Sequence, residues 1–195
     1  MRRVIALAAG LAAAPLAPAL ATGLEIDVAG EADGTIVIDL FEDIAPLHVE
    51  RIVTLANEGA YNDVVFHRVI DGFMAQTGDV EFGRMGQDMR YAGRGGSAYE
   101  DLPAEFSDLT FDRGVLGMAR SQSPDSANSQ FFIVFEPAPH LDGGYTIVGR
   151  VVEGMEVVDA IKRGGGQNGA VTGQPDRMVD VRVREDDPEA PAEAD

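Results

Sequence analysis

Apolar and polar positions alternate with a period of two near the start of the chain. Leu24, Ile26 and Val28 are separated by Glu25 and Asp27, and beyond Asp33-Gly34 the alternation resumes in Ile36, Ile38 and Leu40. Such a pattern gives each strand one apolar and one polar face, so a β-hairpin with a Gly-containing turn is predicted. From Pro46 to Glu58 the period changes: Val49, Ile52, Val53 and Ala56 fall at helical spacing, Pro46 suits a first helical position, and Gly59 supplies a stop. Residues 64–78 read as two short strands around Asp71-Gly72. Residues 79–112 are polar, Gly-rich and too irregular for regular elements, and ordered loops of that length usually carry function. Val115 to Ala119, Gln130 to Phe135, Tyr145 to Val152 and Met178 to Arg184 are predicted strands, and Met155 to Lys162 a second short helix. Many strands with only two helices predict a mainly β fold, a closed barrel without exposed edges.

The ends of the chain read differently. Arg2 and Arg3 precede an apolar run from Val4 to Leu16, and Ala19-Leu20-Ala21 offers small residues in a cleavage pattern. Residues 1–21 are therefore predicted to be a signal peptide cut after Ala21, which places the protein in the periplasm or beyond. Pro15 and Pro18 interrupt this run, which falls short of the roughly 20 apolar residues a membrane span needs, so no stable membrane insertion is expected. Residues 22–184 form one predicted domain, and 185–195, acidic and without a large apolar side chain, a disordered tail.

Charge and composition then narrow the chemistry. The 33 acidic against 15 basic residues give a formal net charge of -18, which opposes binding to phosphate backbones, so nucleic acid is not an expected partner. Zero Cys removes disulfides, thiolate metal sites and Cys nucleophiles. His48, His67 and His140 follow no metal-ligand spacing, and Ser129 lacks a nucleophile-elbow context. Asp79 and Glu105 read as loop-positioning or solvated charges.

The most informative segment is Phe66-His67-Arg68-Val69-Ile70-Asp71-Gly72-Phe73-Met74-Ala75-Gln76-Thr77-Gly78-Asp79, where a charged Arg stands inside an otherwise apolar strand-forming run. Such an Arg requires a partner or a task. This segment resembles the hallmark of the cyclophilin family. Ser129-Gln130-Phe131-Phe132-Ile133 is similar to its second motif, followed by Leu141-Asp142-Gly143 and Val148-Gly149-Arg150-Val151, and Met118-Ala119-Arg120 with Asp125-Ser126-Ala127-Asn128 resembles the bacterial branch. The colinear match runs from about residue 24 to 184.

The resemblance implies a closed eight-stranded antiparallel β-barrel capped by two α-helices, with a substrate groove on its outer face. It implies a peptidyl-prolyl cis-trans isomerase that acts without metal or organic cofactor on proline-containing peptides and unfolded exported proteins, working as a monomer. Arg68 is implied as catalytic, with Gln76 orienting it. Phe73, Met74, Ala119, Arg120, Gln130, Phe132, His140, Leu141 and Tyr145 are implied to contact substrate. His140 stands where many eukaryotic members have Trp, and Tyr145 where many have His. Two other readings compete: a non-catalytic module or holdase that binds Pro-containing segments, which would not need Arg68 and Gln76, and a lipocalin-like barrel, disfavoured because its inward positions are bulky.

Overall fold

The computed structural model describes residues 22–185 of the 195-residue chain. The predicted signal peptide, its cleavage bond and all of the predicted tail beyond Glu185 lie outside the described residues. The chain runs β1 (Thr22–Ala29), β2 (Gly34–Leu40), α1 (Pro46–Asn57), β3 (Val64–Val65), β4 (Arg68–Ile70), β5 (Met74–Thr77), β6 (Val115–Met118), β7 (Phe131–Val134), β8 (Ile147–Glu153), α2 (Met155–Ala160) and β9 (Arg177–Glu185). Single 3-10 turns occupy Pro139–Leu141 and Gln167–Gly169. The predicted hairpin is β1–β2, with Ile26 opposite Ile36 and Leu24 opposite Ile38. Residues 79–112 contain no helix or multi-residue strand, as their composition predicts.

All strand pairs are antiparallel, and the sheet order is β3-β9-β1-β2-β8-β6-β7-β5-β4. This corrects the expected closed, eight-stranded barrel: there are nine strands in an open half-barrel, and its edge strands β3 and β4 share no ladder. The physical reason lies in the chain itself. β3 and β4 are consecutive and joined only by Phe66 and His67, so they continue one another instead of lying side by side. Neighbouring groups cover these edges: the Thr77 hydroxyl donates to the Val65 carbonyl at 3.0 Å, and the Val171 N–H donates to the His67 carbonyl at 3.0 Å.

The sheet separates two apolar clusters, and β7 contributes to both. Phe131 and Ile133 enter the large core with Leu24, Ile26, Ile36, Ile38 and the inner face of α1, while Phe132 and Val134 enter a smaller cluster with Met74, Phe111 and Leu141. A strand buried on both faces needs an unbroken apolar run, which accounts for Phe131-Phe132-Ile133-Val134. Burial of each such side chain contributes about 1.5–3 kcal/mol.

α1 begins with Pro46 after Ala45, which has no side chain able to cap. Glu105 supplies the missing acceptor from the long loop, taking the Leu47 and His48 N–H groups at 3.1 Å each and contacting His48 Nδ1 at 2.5 Å. A carboxylate at this end also meets the positive pole of the helix. Glu105 thus positions the loop on the domain, the first of its two sequence readings.

Candidate active site

The site grows from the β4–β5 hairpin and β7. Arg68 faces Gln76 across the β4–β5 ladder, and Gln76 faces Phe132 across the β5–β7 ladder, so the three residues form a row. Arg68 Nη1 donates to Gln76 Oε1 at 3.0 Å, and Arg68 Nε donates to the Asn168 carbonyl at 3.0 Å. Gln76 Nε2 donates to Gln130 Oε1 at 2.9 Å, and Gln130 Nε2 donates to the Gly95 carbonyl at 2.7 Å. This chain fixes both amide orientations and holds the guanidinium plane. Arg68 Nη2 has no partner among the described residues. Burial lowers the Arg68 pKa from its ordinary value, with Tyr145 opposing, yet a guanidinium stays charged at neutral pH.

Beside Arg68 is a cavity of about 160 Å³ that the guanidinium shares with Gln76, Phe73, Met74, Ala119, Arg120, Phe132, Leu141 and Tyr145. Its floor is rigid. Phe132 stacks on Phe111 at 5.7 Å between ring centroids, and Tyr145 meets Phe132 edge-on at 5.8 Å. Arg120 lies over the Tyr145 ring at 4.3 Å and is held by the Gly144 carbonyl through Nη2 at 2.7 Å and the Ser121 carbonyl through Nη1 at 2.9 Å. Nine of the eleven residues named from sequence therefore line one cavity. Gln130 lies outside that lining and faces the next cavity. His140 is exposed at the rim, its ring 5.3 Å from that of Phe73.

The next cavity, about 490 Å³, shares Gln76, Ala119 and Arg120 with the first and is otherwise built largely by the long loop, including Arg94, Gly95, Ser97 and Asp101. From this loop the sequence reading singles out only Asp79 and Glu105, and neither lines the cavity. Its shape is set by Asp79, a fully buried carboxylate: Oδ1 accepts the Glu81 and Phe82 N–H groups at 3.1 and 2.9 Å, and Oδ2 those of Gly93 and Gly95 at 2.7 and 3.1 Å. Asp79 too proves to be loop-positioning. Gly93 has φ +89° and lies against the His67 ring, where a Cβ would approach to 2.9 Å. Burial pushes the His67 pKa down to about 4, so its ring is neutral at neutral pH.

The geometry offers an apolar slot for a small ring and a fixed cation at the slot's edge, and the described residues that line the slot include no Ser, Thr or Cys. That arrangement suits a reaction in which a bond rotates and nothing is transferred. Comparison with known proteins agrees. The family model described as cyclophilin type peptidyl-prolyl cis-trans isomerase/CLD matches residues 24–183. A probable peptidyl-prolyl cis-trans isomerase of Brucella suis is 57% identical over 157 residues, covering 79% of this chain and 80% of that protein. The crystal structure of a Cryptosporidium parvum cyclophilin type peptidyl-prolyl cis-trans isomerase superposes with a TM-score of 0.71 at 26% identity, over 86% of this chain and 99% of that one. A second structure of that protein, in the presence of the dipeptide Ala-Pro, gives 0.69 at 26% identity over 84% and 99%. The chain belongs to the cyclophilin-type peptidyl-prolyl cis-trans isomerase family.

Proposed function

We propose that this cyclophilin-type isomerase accelerates rotation about Xaa-Pro bonds in exported proteins, as a periplasmic monomer, and that Arg68 supplies the catalytic interaction. The observation that carries the mechanism is the guanidinium held by Gln76 at the edge of the apolar slot. Rotation about a peptide bond is opposed by a barrier of about 18–20 kcal/mol, because the nitrogen lone pair is delocalised into the carbonyl. As the bond twists, that lone pair localises on the prolyl nitrogen, which becomes an acceptor. A donor from Arg68 bonds to it more strongly in the twisted state than in the planar one, which lowers the barrier without a covalent step.

In this reading Phe73, Met74, Phe132 and Leu141 hold the prolyl ring while the other side of the bond turns, and Gln76 is a positioning residue for Arg68 that also offers substrate backbone a hydrogen bond. Tyr145 and Arg120 close the far wall, and His140 acts through Phe73. Export is supported by the sequence of residues 1–21. Within the domain the Thr22 backbone nitrogen donates to Glu42 Oε1 at 2.7 Å. Cleavage after Ala21 would turn that amide into an ammonium facing a carboxylate. A protease-coupled isomerisation assay on the purified protein tests the proposal. Turnover of Xaa-Pro peptides that is lost in Arg68→Ala is expected; undiminished turnover in that variant would overturn the mechanism, and an inactive natural protein would favour the holdase reading.

A further inference from the structure

Three arginines border the two adjoining cavities, Arg68, Arg94 and Arg120, against one carboxylate, Asp101. The imbalance runs against the composition of the chain, in which 33 acids face 15 bases. Elsewhere Arg90, Arg113, Arg163, Arg177 and Arg182 each pair with an Asp or Glu, while Arg51 and Arg84 donate to backbone carbonyls. The three cavity arginines belong with the second group. Arg68 bonds an amide oxygen and a carbonyl, Arg120 bonds carbonyls and lies on Tyr145, and Arg94 lies 6.0 Å over the Tyr91 ring. None of them is in an ion pair among the described residues. Asp101 is itself engaged, accepting Asn128 Nδ2 at 2.9 Å. That amide hydrogen bond leaves Asp101 ionised, so the two cavities together carry three guanidinium charges against one carboxylate.

At about 490 Å³ the larger cavity admits an extended polar side chain. It meets the proline slot at Gln76, Ala119 and Arg120. An extended peptide advances about 3.3–3.6 Å per residue, so whatever side chain fills this cavity lies within a few residues of the proline. We infer that this cavity selects substrates carrying Asp or Glu within three residues of the proline, with Arg94 and Arg120 as the selecting groups. The inference rests on the isomerase reading above and adds a substrate class to it. The net charge of -18 acts in the opposite sense, since the field of the whole molecule enriches basic peptides. An acidic preference would thus have to come from the cavity.

The test uses peptides with Glu, Gln or Lys at each of three positions on either side of the proline, with kcat/KM for isomerisation measured at physiological ionic strength. At one position or more, the Glu peptide is expected to exceed the Lys peptide at least threefold, a size in keeping with partly exposed charge pairs. Arg94→Glu, at an exposed site, is expected to bring that ratio below one. A ratio under threefold at every position, or one that Arg94→Glu leaves unchanged, overturns the inference while leaving the isomerase intact. Failure to turn over any peptide, those with Gln included, would instead refute the isomerase reading on which it stands.

Discussion

Gly117 lies directly against the ring of Phe132: a Cβ at this position would stand 2.6 Å from Phe132 Cζ and 2.6 Å from Phe111 Cε1. The stacked rings that floor the proline slot therefore depend on a missing side chain in the neighbouring strand. Gly117→Ala is expected to lower stability by about 1–3 kcal/mol, as overpacking does. By displacing the Phe132 ring it should also raise KM for Xaa-Pro peptides more than it lowers kcat. Thermal melts together with steady-state kinetics check both effects, and unchanged KM would show that the ring does not contact substrate.

Arg68 and Gln76 should separate in a mutant series. Arg68→Ala is expected to reduce kcat/KM at least tenfold, corresponding to about 1.4 kcal/mol of lost transition-state stabilisation, with the melting temperature little changed. Arg68→Lys should recover only part of the loss, because an ammonium lacks the planar fork that Gln76 and Asn168 now hold. Gln76→Ala should cost less than Arg68→Ala. Equal activity of Arg68→Ala and the natural protein would refute the assigned role.

The buried His67 ring makes stability pH-dependent. Its pKa of about 4 lies below the ordinary value of 6.5, so between these limits the unfolded chain binds more protons than the folded one. The neutral ring's contribution is complete above about pH 6.5 and is lost as pH falls toward 4, by up to about 3 kcal/mol at 1.36 kcal/mol per unit. Chemical denaturation at several pH values should show this slope, and His67→Asn should flatten it. An unchanged slope would assign the acid sensitivity to other groups.

Protein recovered from the periplasmic fraction is expected to begin at Thr22, which N-terminal sequencing checks; an intact Met1 there would refute the processing. In that form the terminal ammonium faces Glu42. Glu42→Gln should then cost about 0.2–1 kcal/mol at pH 7 and almost nothing at pH 10, where the terminus has lost its proton. An equal effect at both pH values would mean that no such ion pair forms.

How much of this could be seen in the sequence depends on what each residue faces. The β1–β2 hairpin was legible because Leu24, Ile26, Ile36 and Ile38 are buried while Glu25, Asp27, Thr35, Val37 and Asp39 are less so. β3 was not, since two residues have no period to display. The number of strands and the open edge were misjudged because periodicity tells which face of a strand is buried, and says nothing of which strand lies beside it. At the site, Arg68, Gln76 and Phe132 were carried by distinctive motifs. Arg94 and Gly95 escaped because Asp79 holds their loop through backbone N–H groups, which every residue but proline possesses. His140 and Leu141 are neighbours in a 3-10 turn, where successive side chains diverge, so one turns to Phe73 and the other into the slot.

The register of β1 against β9 has a consequence in time. β1 and β9 pair over their whole lengths, Thr22 opposite Glu185 and Ala29 opposite Arg177. Made or threaded through a pore in N-to-C order, the chain presents β1 about 150 residues before the partner that completes its ladder. Until then one edge of β1 stays unpaired and β3, whose ladder is also with β9, has nothing to join. The β1–β9 and β3–β9 ladders can therefore form only once β9 itself has been made, so the sheet gains these two pairings last.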